Sequence, residues 1–210
     1  MRLSDTSKKI FKRMLVTCII IAVGWIALTL WVERRGPARL WHFSATKPVK
    51  NILIVFDPDP IYNLDEQVCL SMGKALAEEN IDVTIATVRK TEEIDVASFD
   101  GFVLCANTYN WTPDWSITNF VKATAALKYK PVIAITLGSG STEHARQVFN
   151  KVILQQDALL IDSRTLWLMR PNDESRMKEN NVAVARSIAH RTGIQLADSI
   201  KLFQSVALPK

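Results

Sequence analysis

The sequence predicts an α/β domain built on a five-stranded parallel sheet, strand order 2-1-3-4-5, held between two layers of helices and preceded by one transmembrane helix. Three observations carry this. Short runs apolar on both faces recur at 51–56, 81–88, 101–106, 131–136 and about 158–161, as in strands buried on both sides of a sheet. Helical patterns alternate with them at 64–79, 116–127, 142–155 and 178–191, the spacing of parallel strands joined by crossover helices. Ahead of them stands an uncharged run of 19 residues, MLVTCIIIAVGWIALTLWV, at 14–32.

That first run is long enough for a span: 19 residues at about 1.5 Å each give roughly 28 Å, close to the hydrocarbon thickness of a bilayer. A cleaved signal peptide has a shorter apolar core that ends in small residues. Here the run closes on Trp31, Val32, Glu33, Arg34 and Arg35. A core helix would need a polar outer face, which this stretch lacks. Residues 1–13 form a basic flank and residues 33–50 a linker broken by Gly36-Pro37 and Lys47-Pro48. Five basic residues precede the span and four follow closely (Arg34, Arg35, Arg39, Lys47), so the positive-inside count leaves the facing side open.

Charge divides along the same boundary. Residues 1–50 carry ten Lys or Arg against Asp5 and Glu33, which leaves the rest of this +5 chain mildly acidic. The basic balance thus belongs to the membrane flanks, and lipid, not nucleic acid, is the expected partner. Cys18, Cys69 and Cys105 form neither a disulfide framework nor a metal-ligand spacing, and read as small apolar residues. His42, His144 and His190 are likewise too scattered to hold a metal, and no serine has the partners of a hydrolase triad.

The remaining elements make one domain, 51–192, followed by a C-terminal extension, 193–210. Five strands with right-handed crossovers wind most simply in the order 2-1-3-4-5, and open parallel sheets of that kind bind ligands beyond the carboxyl ends of their strands, where the winding reverses. The segments concerned are 57–63, 107–115 and 137–142. In the second, Asn107, Thr108, Tyr109, Asn110 and Trp111 offer aromatic faces and amide groups, as a flat, polar-edged ring requires. In the third, Gly138, Ser139, Gly140 and Ser141 offer close backbone approach and hydroxyl donors. Each has a plainer reading: the aromatics cap the sheet, and Ser141 or Thr142 caps the following helix.

The string ANTYNWTP at 106–113, followed by Asn119-Phe120, resembles the P-x-Y-N-x-x-x-P turn and next helix of the NAD(P)H-dependent FMN reductases. KPVIAITLGSGS at 130–141 resembles their fourth strand and glycine-rich turn. The broader similarity, to flavodoxin-like proteins, covers about 50–192. The resemblance implies a flavodoxin-like three-layer sandwich and FMN held by the nine residues just named. It also implies NAD(P)H as electron donor, and a homodimer or a membrane redox partner as company.

The first segment departs from that pattern. FDPDPIYN at 56–63 has no Ser or Thr to hold a flavin phosphate; Pro58 and Pro60 remove backbone donors, and Asp57 and Asp59 bring like charge. Asn63 with Glu66 predicts a capping box that satisfies the next helix from within. Two functions are therefore expected: a membrane-anchored FMN-binding oxidoreductase, or a cofactor-free pseudo-flavodoxin serving as a membrane-tethered interaction domain.

Overall fold

The computed structural model describes residues 5–202, with side chains from residue 9. The chain divides into two compact units, Met1–Arg34 and Arg35–Lys210.

The first unit is a single helix, α1 (Asp5–Val32). Its Lys9–Val32 stretch is long and apolar enough to cross a membrane, with a mean hydropathy of 2.5, and none of its apolar window is buried. The helix already includes Asp5–Arg13 ahead of residue 14, because Lys8, Lys9, Lys12 and Arg13 are themselves good helix formers and extend the apolar run by about two basic turns.

The second unit begins with a short strand, β1 (Leu40–Phe43), inside the expected linker. Then follow β2 (Lys50–Phe56), α2 (Leu64–Glu78), β3 (Ile81–Thr87), β4 (Gly101–Tyr109), β5 (Thr112–Pro113) and α3 (Trp115–Ala123). The chain closes with β6 (Pro131–Gly138), α4 (Glu143–Leu154), β7 (Leu159–Trp167) and α5 (Asn181–Leu202).

The sheet runs β1-β3-β2-β4-β6-β7 with β5 hanging from β4. Its five parallel strands, β3-β2-β4-β6-β7, stand in the expected 2-1-3-4-5 order. The two additional strands are antiparallel: β1 covers the β3 edge, Leu40 opposite Ala86 and Phe43 opposite Val83, and β5 closes a hairpin on β4.

Period-two alternation fills both faces. Ile52, Ile54 and Phe56 of β2 pack under α2 and α5 with Val68, Met72, Leu76 and Ala189. Leu53 and Val55 pack on the other face with Ile117, Val121, Phe149 and Ile153 of α3 and α4. The result is the three-layer sandwich that the strand pattern predicts.

Two boundaries shift. β7 continues past residue 161 to Trp167 through Asp162, Ser163 and Arg164; as an edge strand it pairs only with β6, and its residues are half-buried, so polar side chains are tolerated. The last helix also runs on past 192. Ala197 and Ile200 are buried in the α2 and α5 core, and a Cβ on Gly193 would lie 2.8 Å from that of Ala75. Residues 193–202 therefore belong to the domain, while 203–210 lie outside the described residues.

Candidate functional site

The three loops converge at the carboxyl ends of β2, β4 and β6, and the first two are bonded to each other. Asp59 accepts the Tyr109 hydroxyl at 2.7 Å and also takes the N–H groups of Ile61 and Tyr62. The Asn107 side-chain amide donates to the Asp57 carbonyl and to Asp65 Oδ2, each at 3.0 Å. Its backbone exchanges hydrogen bonds with Asp114, whose other carboxylate oxygen receives the Ile117 N–H at the start of α3.

Asp65 is the centre of this arrangement. It is 1% exposed and lies in the first turn of α2. Its Oδ1 accepts the Glu66 N–H at 2.7 Å, and its Oδ2 accepts the Asp59 N–H at 2.6 Å as well as the Asn107 amide. An acceptor at a helix N-terminus satisfies the place where an anionic ligand group would bind. Here a protein carboxylate already occupies it. Burial pushes the Asp65 carboxyl up to about 6, against the Asn107, Asp59 and Glu66 donors that favour its charge.

The segment before β1 seals the first loop from outside. Asp57, also buried, accepts the Gly36 N–H at 3.0 Å; burial raises its carboxyl above the usual range, opposed by Ser116, Gly36 and Arg35. Arg39 pairs with Glu66 and Arg35 with Glu92. Thr87 donates its hydroxyl to the Pro37 carbonyl. The first loop therefore does not fit the phosphate of FMN: the N–H groups of Asp59, Ile61, Tyr62 and Glu66 are taken by Asp59 and Asp65, and three carboxylates stand at the position.

The expected capping box is not formed. Asn63 accepts from the Gln67 side chain instead of a backbone N–H, and Glu66 turns to Arg39. At the second loop the expected turn is a two-residue hairpin, with Asn110 at φ 48° and Trp111 at φ 61°. Positive φ at both positions defines a type I′ turn, in which glycine is usual at the second. Trp111 is 61% exposed, so it does not cover the sheet end. Tyr109 does face inward, where burial and the Asp59 carboxylate hold its phenol protonated.

The third loop is less saturated. Gly138 is fixed by packing: a Cβ there would lie 2.4 Å from Thr142 Cγ2 and 3.1 Å from Thr108 Cβ. Gly140 has room, with only Arg170 Cβ within reach at 3.8 Å. The Ser139 carbonyl accepts from Met169 and Arg170 N–H, while the Ser139 and Ser141 side chains stand exposed. Thr142 does not cap α4; its hydroxyl accepts the Trp167 indole N–H at 2.9 Å, and Arg170 stacks on that indole at 4.6 Å. Thr108 Oγ1 is buried here with no hydrogen-bond partner.

The structure brings Asn107, Tyr109 and Gly138 together at the carboxyl end of the sheet, where Asn107 and Tyr109 bond protein groups and Gly138 packs against Thr108 and Thr142. Sequence reasoning missed Asp65, Asp114 and Trp167. Asp114 had a readable signal, an Asp immediately before a helical pattern. Asp65 had none, because its partner Asn107 lies 42 residues away. Among the described residues, no group of three His, Cys, Asp or Glu is placed to hold a metal.

No protein-family model matches this sequence, and no curated protein does. Solved structures do match, and they define the class: the second unit has the flavodoxin-like fold. An archaeal flavodoxin superposes with a TM-score of 0.53 at 13% identity, covering 72% of this chain and 99% of its own. A WrbA-like flavodoxin of Agrobacterium tumefaciens gives 0.54 at 12% identity, over 74% and 99%. A flavone reductase gives 0.52 at 13% identity, over 73% and 65%.

Proposed function

We propose that this chain is a membrane-anchored flavodoxin-like protein whose soluble domain serves as an interaction module and not as a carrier of FMN. In this reading residues 14–32 cross the bilayer and the first of the carboxyl-end loops is closed by protein groups. The observation that carries it is the buried Asp65 carboxylate, which takes the anion position at the α2 N-terminus with three hydrogen bonds. A bound phosphate would have to displace those bonds and lie against Asp57, Asp59 and Asp65. Carboxylate and phosphate about 4 Å apart repel by about 1 kcal/mol in water and several times that in a buried site. The anchor rests on the apolar Lys9–Val32 helix with its basic flanks.

The full chain, purified in mild detergent from cells grown with excess riboflavin, should be colourless in the visible flavin band. Flavin recovered in one-to-one ratio with protein would sink this reading.

A second reading, an FMN-dependent oxidoreductase using NAD(P)H, is favoured by one observation. The unpartnered, buried Thr108 hydroxyl lies against Gly138, at the root of the third loop whose Ser139 and Ser141 are exposed, where a ligand's polar edge could be met. In it, Tyr109, Trp111 and the Gly138–Ser141 turn would hold the ring while the phosphate lay away from the first loop.

A further inference from the structure

We infer that the carboxyl end of the sheet docks on the bilayer surface, with the Trp111 hairpin tip and the Ile61-Tyr62 loop entering the interfacial layer. This rests on the membrane-anchored reading and names the partner of the interaction module as zwitterionic lipid.

The first support is covalent. Gly36 donates its N–H to Asp57 at the end of β2, and Arg39 pairs backbone groups with Thr87 at the end of β3. Only four residues of advance separate Val32, the last residue of the apolar helix, from Gly36. An extended chain covers at most about 3.6 Å per residue, so Asp57 is tethered within roughly 15 to 20 Å of the helix end whatever the mutual arrangement of the two units. The amino end of β2, seven residues back along the strand, lies about 20 Å further from that tether point.

The second support is the chemistry of that end. Leu40, Ile61, Tyr62, Trp111, Trp115 and Met169 are all exposed there, from the start of β1 and the segments after β2, β4 and β7. Tyr62 and the hairpin are held together, since Asp59 accepts both the Tyr62 N–H and the Tyr109 hydroxyl. Tryptophan and tyrosine favour the membrane interface, where an apolar ring and a polar edge are both accommodated. The opposite end exposes Val49, Tyr129, Leu154 and, at the end of α5 beside Glu79, Leu202, but no tryptophan.

The third support is Trp111 itself. A bulky residue held at φ 61° costs stability where glycine would be free of strain. Its 61% exposure shows that folding of this chain does not use the side chain for burial. Because a phosphatidylcholine surface carries no net charge, the contact is driven by aromatic insertion and should be insensitive to salt.

The test uses the full chain with Cys18→Ser, reconstituted into phosphatidylcholine vesicles. An environment-sensitive fluorophore is attached at Trp111→Cys, or at Ile61→Cys should the first variant fold poorly, and at Val49→Cys as the opposite-end control. The expected result is blue-shifted emission at 111 or 61 that is largely lost when the lipid carries a shallow spin label, with 49 unaffected. If alkaline carbonate leaves the protein in the vesicles but no site is quenched, the docking is overturned and the anchor stands. Release by carbonate overturns both. Blue-shifted emission at 111 that ignores the quencher and grows with protein-to-lipid ratio also overturns it, in favour of a second copy on this surface.

Discussion

The loops after β2 and β6 occupy comparable positions at the same edge of one sheet, yet they solve opposite problems. The first buries Asp57 and Asp65, half-buries Asp59, and satisfies them with backbone N–H groups, the Asn107 amide and the Tyr109 hydroxyl. The third is neutral, keeps two serine hydroxyls exposed and leaves space above Gly140. At the first position the Asp65 carboxylate accepts the Glu66 N–H at the start of α2. The contrast teaches that this fold can keep its core and its edge geometry while a carboxylate of the chain itself accepts hydrogen bonds at the helix start.

The comparison can be broken most forcefully at Asp65. Asp65→Ala leaves the buried Asp59 N–H and Asn107 amide without acceptors, which at about 1–3 kcal/mol for each orphaned donor should lower stability by about 4 kcal/mol. Urea unfolding of the full chain in micelles measures this; a loss below about 1 kcal/mol would mean that the carboxylate does not hold the loop.

The pH dependence is the next largest effect. The Asp65 carboxyl titrates at about 6 when folded against an ordinary value of 3.8, so the native state binds the extra proton between those values. Its contribution is fully present below about pH 4 and is lost as pH rises through about 6. A shift of roughly two units corresponds to about 3 kcal/mol. Asp57 is raised in the same direction by its burial. Stability should therefore fall from about pH 4 to about pH 6, and Asp65→Asn should flatten that slope; an unchanged slope would place the titration elsewhere.

At the third loop the two glycines should separate. Gly138→Ala forces a methyl to within 2.4 Å of Thr142, whose rotamer is held by Trp167, and should cost about 2 kcal/mol. Gly140→Ala meets nothing closer than 3.8 Å and should be neutral or stabilising by about 0.5 kcal/mol. Equal effects in thermal unfolding would contradict the packing described. The smallest change belongs to the hairpin: Trp111→Gly relieves a positive-φ position and should raise stability by about 0.5 kcal/mol while weakening vesicle contact. A clear loss of stability would show that Trp111 is structural.

Much of the fold was legible because the parallel strands are buried on both faces and read as unbroken apolar runs. β1 was hidden, since its four residues lie between two Pro-containing breakers and gain their pairing only when β3 is beside them. α5 beyond 192 was hidden for a related reason: its buried face is small, Ala197 and Gly193 among Met72 and Ala75, and carries little hydrophobic signal. At the site, the repulsion between the first loop's aspartates and a phosphate was readable from charge alone. That one carboxylate would itself take the helix N-terminus was not, because Asp65 and Asn107 meet only through the pairing of β2 with β4. The capping signals at Asn63 and Thr142 were readable but misleading, as both side chains found other side chains first.

The central claim is tested most directly by titrating the full chain in detergent with FMN and with riboflavin in parallel, following flavin fluorescence. Riboflavin lacks only the phosphate, so the difference between the curves isolates the position that Asp65 occupies. The protein-filled first loop predicts no gain in affinity for FMN over riboflavin. Tighter binding of FMN by tenfold or more, about 1.4 kcal/mol assigned to the phosphate alone, would contradict it.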